Sequence, residues 1–280
     1  MKNALANLSP KALALIGRWA MNLSGQFFSL VGGIAILFGN SSKQISIEVI
    51  QLRKASRIAL VDQMLRVGIR AIPIIFLVMS AIGVILPLQM FNQLDQFGQA
   101  DQIATINAIA AFRELGPLMT AIVLSGFAGA SIAAELATMS TSEEIEALES
   151  MALDPIRFLV VPRLVATVIM TVLLTILADV VMVASGMLTG IKLGLDSDVF
   201  LQTTRLAVTS MGFITGLIKA FVYGLLIGLI ACHLGLSVKP CQGSAGVGQA
   251  TTNTVVYGIV AIISAAAVFT LIFYSYGWLV

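Results

Sequence analysis

Residues 158–191 read FLVVPRLVATVIMTVLLTILADVVMVASGMLTGI, and Arg163 and Asp179 are their only ionisable side chains. A bilayer crossing needs roughly 20 apolar residues, so this run is long enough to tilt or to extend past the bilayer. Four more runs have the same character: Ile69–Met90, Leu115–Ala134, Met211–Cys232 and Val255–Leu279. Across all 280 residues 58% are hydrophobic and 11% charged, whereas a soluble domain carries about 25% charged residues. So few charges cannot cover a water-facing surface. The expected fold is an all-α integral membrane bundle of five transmembrane helices.

A shorter run, Leu23–Phe38, contains Ser24, Gly25, Gln26, Gly32 and Gly33, and Ser9-Pro10 ahead of it is a good helix start. This region is expected to hold an N-terminal helix lying in the membrane interface, with a sixth full span as the rival. The opening residues are broken by Pro10 and Arg18 and lack a cleavage site, so a cleavable signal peptide is not expected. The expected organisation is a cytoplasmic and interfacial helical region over 1–66 and a transmembrane domain over 67–280.

Lys and Arg set the expected orientation. Lys43, Arg53, Lys54, Arg57 and Arg66 precede the first span, and the segment after it, Asn92–Ala108, has neither Lys nor Arg. The N-terminus is therefore expected in the cytoplasm and the C-terminus outside. Lys192 and Arg205 fall outside in this arrangement, a mild violation.

The loop between the second and third spans is then cytoplasmic, and it is acidic. Residues 140–155 read STSEEIEALESMALDP and hold five of the 14 acidic residues: Glu143, Glu144, Glu146, Glu149 and Asp154. Thr141 and Glu144 have capping-box spacing, and Ile145, Leu148, Met151 and Ala152 recur at helical spacing. The loop is expected to be a short amphipathic helix stopped by Asp154-Pro155. Helices that bind anionic inner-leaflet lipid are normally basic, so an acidic one points to a protein partner. The plainer alternative is a solvated loop.

Two charges lie deep in apolar runs, Asp179 in the third span and Lys219 in the fourth. Their opposite signs make a mutual pair the economical expectation, serving either as a gate or as a lock on helix register. Asp179 shares a face with Thr175, Met182 and Gly186. Gly212, Gly216, Ala220, Gly224 and Gly228 form a small-residue ladder for close helix approach. Each four-residue step drifts about 40° around a helix, so the ladder should wind. The run Gly243–Gly248 lacks a phosphate-loop Lys and reads as a flexible loop. Cys232, His233 and Cys241 are too few for a zinc site, and no metal site is expected. No nucleophile-base set is present, and no basic patch interleaved with aromatics points to nucleic acid.

The segment Phe112–Ala166 resembles the MlaE/YrbE permease family, the membrane subunits of ABC transporters that work with MCE-domain proteins. The blocks Arg113-Glu114-Leu115-Gly116-Pro117, Ala133-Ala134-Glu135-Leu136 and Met151–Pro155 match in order, and Leu217–Gly224 and Gly246–Val256 are similar as well. The resemblance implies a non-catalytic subunit of the bacterial inner membrane that moves phospholipid between that membrane and the outer envelope and so bears on outer-membrane lipid asymmetry. It implies a permease homodimer, a cytoplasmic ATPase that binds the ATP and magnesium, a periplasmic MCE protein and a small cytoplasmic regulatory subunit, with no cofactor in this chain. It makes the 141–154 loop a coupling helix, through Thr141, Glu143, Glu144, Glu146, Leu148, Glu149, Met151 and Asp154. It places a lipid pathway near Leu86, Gln89, Phe91 and Phe127. Arg113, Glu114 and Glu135 are charges of the matching motifs and join the intramembrane charges Asp179 and Lys219 as candidate site residues. One departure is Phe127, where the family usually has Arg, which puts phosphate recognition there in doubt. The rival functions are a permease for another hydrophobic cargo, such as a sterol-like molecule, an ion-coupled carrier using Asp179 and Lys219, and a passive scaffold.

Overall fold

The computed structural model describes residues 32–41 and 54–276, and all regular structure among them is helical. Most of the proposed interfacial helix lies outside the described residues; its last part falls in helix α1 (32–41). Next come α2 (Lys54–Val67) and α3 (Ile72–Gln96). The second long rod is α4 (Gln102–Ala110), α5 (Gly116–Leu124) and α6 (Ala130–Thr141). A short helix α7 (Glu144–Ser150) leads to α8 (Val161–Lys192), α9 (Ser197–Ala207), α10 (Ser210–Leu236) and α11 (Gly243–Ser275).

Among the described residues five rods are long and apolar enough to cross a bilayer: Leu60–Gln96, Gln102–Thr141, Ile156–Lys192, Ser210–Leu236 and Pro240–Ser275. Each expected span is present, and the first four rods run past their expected bounds at both ends, while the fifth begins 15 residues earlier than expected, at Pro240. The first has 37 residues, about 55 Å at 1.5 Å per residue, against a hydrocarbon core about 30 Å thick. Gly243–Gly248 is not a loop but the start of α11. At Gly246 a methyl group would meet Val238 Cγ1 and Gln242 Cβ, so the glycine there serves close packing.

The second rod is continuous because two wide turns join its parts, over Ala111–Leu115 and Ser125–Gly129. A wider turn adds a residue to the helix and re-aims the side chains beyond it. Pro117 follows the first, and Pro162 follows a third wide turn at Ile156–Val160. Proline lacks the N–H that would bond the carbonyl one turn back.

The centre of the bundle is α8, packed against α3, α10 and the second rod. Its buried threonines are satisfied within the helix: Thr167, Thr171 and Thr175 donate to the carbonyls of Arg163, Thr167 and Thr171 at 2.7–2.8 Å. That local bonding lets a polar column stay away from water. The glycine ladder of α10 divides between two neighbours. Gly212 and Gly216 lie against Arg113 and Phe112, whereas Gly224 and Gly228 lie against Thr171 and Leu164 of α8. The drift of the ladder is thus met by a change of partner rather than by one helix winding with it. Large apolar side chains such as Phe76, Leu77, Val180, Leu188, Val260 and Leu271 point outward, as a lipid solvent requires.

Candidate functional site

Lys219 is 1% exposed, and Pro117 explains one of its bonds. The proline cannot donate to the Arg113 carbonyl, and Lys219 Nζ donates to that carbonyl at 3.1 Å. The same ammonium donates to Glu114 Oε1 and lies 5.6 Å from the centre of the Phe273 ring. Thr270 Oγ1 lies 3.1 Å from the same Glu114 oxygen. One charged knot therefore ties the second, fourth and fifth spans. Arg113 turns the other way, with Nη2 3.4 Å from Thr209 Oγ1 at the start of α10.

This corrects the expected Asp179–Lys219 pair. The wide turn at Ala111–Leu115 presents Glu114 to Lys219, whereas Asp179 is held on the other side of the second rod. Its Oδ1 lies so close to Gly116 that any side chain there would collide with it. Asp179 is 2% exposed, and Oδ1 has no hydrogen-bond partner among the described residues. The side chain of Asn107, nine residues before Gly116, is also buried without a partner and abuts Gly186 of α8. The seam between the second and third spans is thus polar, close-packed and only partly bonded. A relay between Asp179 and Lys219 has no direct contact to run through.

At the loop between those spans the structure makes a helix, but a shorter one than expected. Thr141 ends α6 and its hydroxyl donates to the Thr138 carbonyl at 2.9 Å, so the expected capping box is not formed. Glu143 instead precedes α7 with φ of +60°. Ile145 and Leu148 pack on the bundle, while Glu143, Glu144, Glu146 and Glu149 are exposed. Met151 and Ala152 leave the expected apolar stripe. Leu153 N–H bonds the Leu148 carbonyl at 3.1 Å and Ala152 N–H bonds that of Glu149 at 2.9 Å, which closes α7 with Ala152 at φ of +58°. Met151 is then 61% exposed. Asp154 Oδ1 accepts from Ile156 N–H at 2.9 Å and so begins the third span.

At the end of the bundle carrying α7, Glu135 is paired twice, with Arg163 Nη2 at 3.1 Å and Arg66 Nη1 at 3.7 Å. Arg163 is nearly buried and also donates to the Leu159 carbonyl at 2.8 Å. Phe127 lines a cavity of about 220 Å³ there, with Gln63, Arg66, Arg70, Ser131 and Glu135. Leu86, Gln89 and Phe91 lie far along α3, roughly 24–32 Å from Arg70 by helical rise, so the structure does not gather them with Phe127. Sequence reasoning missed Thr270, Arg163 and Arg70. A signal existed for one of Lys219's true neighbours: Pro117 has no N–H to offer the carbonyls one turn back, among them that of Arg113. Cys232 and Cys241 are free thiols, and no three His, Cys, Asp or Glu among the described residues are placed to hold a metal.

Residues 60–272 match the family model for permease MlaE, a range that takes in nearly all of the five spans. A probable ABC transporter permease protein of Rickettsia prowazekii is 35% identical over 217 residues, 77% of this chain and 83% of the relative. The intermembrane phospholipid transport system permease protein MlaE of Haemophilus influenzae is 34% identical over 220 residues, 78% of this chain and 84% of the relative. The chloroplastic protein TRIGALACTOSYLDIACYLGLYCEROL 1 of Arabidopsis thaliana is 30% identical over 215 residues, 76% of this chain and 61% of the relative.

Proposed function

The chain belongs to the MlaE permease family, and from that premise we propose that it is the membrane subunit that moves phospholipid between the inner membrane and the outer envelope. The observation that carries the reading is the family match through the five spans, together with a relative of the same extent named for phospholipid transport. ATP and magnesium are bound and ATP hydrolysed in a separate cytoplasmic subunit. Two permease copies pair, an MCE protein sits on the periplasmic side, and a small regulatory subunit joins the ATPase. The N-terminus is cytoplasmic and the C-terminus periplasmic.

In this arrangement α7 is the contact with the ATPase. Its three glutamates and Glu143 just before it face outward, while Ile145 and Leu148 anchor it to the bundle. A push on such a short helix reaches the spans through two direct links. The chain from Ser150 to Ile156 starts the third span, and Ser140 Oγ donates to the Val238 carbonyl between the fourth and fifth. The Glu114–Lys219 knot would make the second, fourth and fifth spans move together.

The test has two parts. Lipids extracted from the purified complex are compared by mass spectrometry with those of the bulk membrane, and transfer of labelled phospholipid between vesicles is followed with and without ATP. Enriched phospholipid and ATP-dependent transfer are expected. Enrichment of a different lipid, such as a sterol-like molecule, would keep the permease and overturn the cargo. Transfer that followed a proton gradient instead of ATP would overturn the ABC reading.

A further inference from the structure

We propose that the cavity between the start of the first span and the α5–α6 turn binds a phosphate anion, supplied by the headgroup of a phospholipid. Its charges do not cancel. Arg66, Arg70 and Glu135 line it, two cations against one carboxylate, and the partners behind them, Asp62 on Arg66 and Arg163 on Glu135, add one charge of each sign. Glu135 is satisfied by Arg163, a buried partner held in place by the Leu159 carbonyl. Arg66 pairs with Asp62 at 2.9 Å, but both side chains are more than half exposed, and an exposed pair of that kind exchanges easily. Arg70 makes no ion pair or hydrogen bond with any described residue, yet it lines the cavity. Ser131 and Gln63 add an uncharged hydroxyl and amide.

Guanidinium forks suit phosphate oxygens because parallel N–H donors match their spacing. Arg66 and Arg70 are four residues apart and line one face, so one phosphate could bridge them. The volume of about 220 Å³ is below the ~300–1,000 Å³ of pockets that enclose whole drug-sized ligands. It suits a headgroup whose remainder lies outside.

The surroundings favour a lipid as the source over free phosphate. Val61, Leu65 and Ile69 are each about half exposed and run beside the cavity-lining residues of the same rod. Phe127 and the buried Ile132 form an apolar wall. A cationic stripe beside an apolar one is what an amphiphile needs: a site for its anion and a rail for its chain. The cavity lies at the α7 end of the bundle, whereas Leu86, Gln89 and Phe91 lie toward the other, so it would be a separate station from any pathway there. The lipid source rests on the permease reading; the anion site itself does not.

The full-length permease in detergent is examined by native mass spectrometry with three probes: phosphatidylglycerol, diacylglycerol with the same acyl chains, and inorganic phosphate. Wild type should retain phosphatidylglycerol over diacylglycerol. Arg70→Gln should weaken phosphatidylglycerol binding about tenfold, the scale of one charge-assisted bond, and Arg70→Lys should restore much of it. Diacylglycerol binding should respond to neither change. Equal retention of the two lipids, or no response to Arg70→Gln, overturns the site. Arg70-dependent binding of inorganic phosphate without phosphatidylglycerol binding overturns the lipid source. ATP-driven transfer by the assembled complex separates this from the permease reading. Wild-type transfer with no Arg70-dependent binding sinks the site alone; Arg70-dependent binding with no transfer by wild type sinks the permease reading alone.

Discussion

Removing one member of the Glu114–Lys219 pair should cost more than removing the other, and the structure says which. Lys219 is 1% exposed, whereas the Glu114 side chain is 36% exposed. Glu114→Gln strands an ammonium that no water reaches. It keeps the Arg113 carbonyl, the Thr270 hydroxyl and the Phe273 ring, but loses its counter-ion. Breaking a buried pair this way costs about 3–5 kcal/mol, and the remaining acceptors put the expected loss near the lower end, about 3 kcal/mol. Lys219→Met leaves a carboxylate that is 36% exposed and keeps Thr270, and removes the ammonium's bond to the Arg113 carbonyl. That should cost about 1–2 kcal/mol, the usual penalty for an unmade bond. The double variant should fall near the lysine variant alone, giving a coupling of about 3 kcal/mol between the two sites. The assay is unfolding of the purified permease in mixed micelles by titration with SDS, followed by far-ultraviolet circular dichroism. Additive losses within about 0.5 kcal/mol would refute the pairing, since independent sites add to that precision. A larger loss from Lys219→Met than from Glu114→Gln would refute the burial argument.

Replacing Glu143, Glu146 and Glu149 together by Lys should reduce capture of the ATPase subunit at least about tenfold while leaving membrane insertion intact, because mutating charge at an interface is paid in several kcal/mol of repulsion; unchanged capture would remove α7 from the interface. Ala152→Gly should stabilise the permease by up to about 1 kcal/mol, because Ala152 closes α7 at φ of +58° and left-handed backbone is strained for any residue with a Cβ; a lower thermal midpoint would contradict this. Gly116→Ala should destabilise by about 1–3 kcal/mol, as a methyl there meets both Asp179 Oδ1 and the Ala111 carbonyl. Asp179→Asn keeps the size of the side chain and should leave ATP-driven transfer in place, whereas an ion-coupled carrier relying on Asp179 would lose its dependence on the proton gradient.

The spans were legible because lipid imposes one simple demand, about 20 apolar residues in a row. Their ends were less so. Gln102–Ala110 and Gly243–Gly248 are too polar or too rich in glycine to look like membrane, yet they are helical because the rods continue beyond the hydrocarbon layer. The partner of Lys219 was misread because opposite charge was matched without asking where each side chain points. A period of 3.6 residues fails across Ala111–Leu115, where the turn widens and redirects Glu114. Phe127 sits on the second such turn, which is why its cavity neighbours from the first span could not be read from spacing.

A backbone count would have been a better guide than charge. In a bilayer an unpaired carbonyl has no water to turn to, so each proline inside a span must be answered by a donor from elsewhere. Pro117 cannot donate to the Arg113 carbonyl, and the buried donor in the neighbouring span that reaches it is Lys219. Once the ammonium is there it needs a counter-charge, and Glu114, one residue on from Arg113, supplies it. Gly116 then has its own reason, the carboxylate of Asp179 pressed against it. The block Arg113-Glu114-Leu115-Gly116-Pro117 therefore reads as a joint: one proline, one acid and one glycine let the second span touch the third on one side and lock to the fourth and fifth on the other. Force applied at α7 would enter the bundle through the second and third spans, and this joint is where their motion would be passed to the rest.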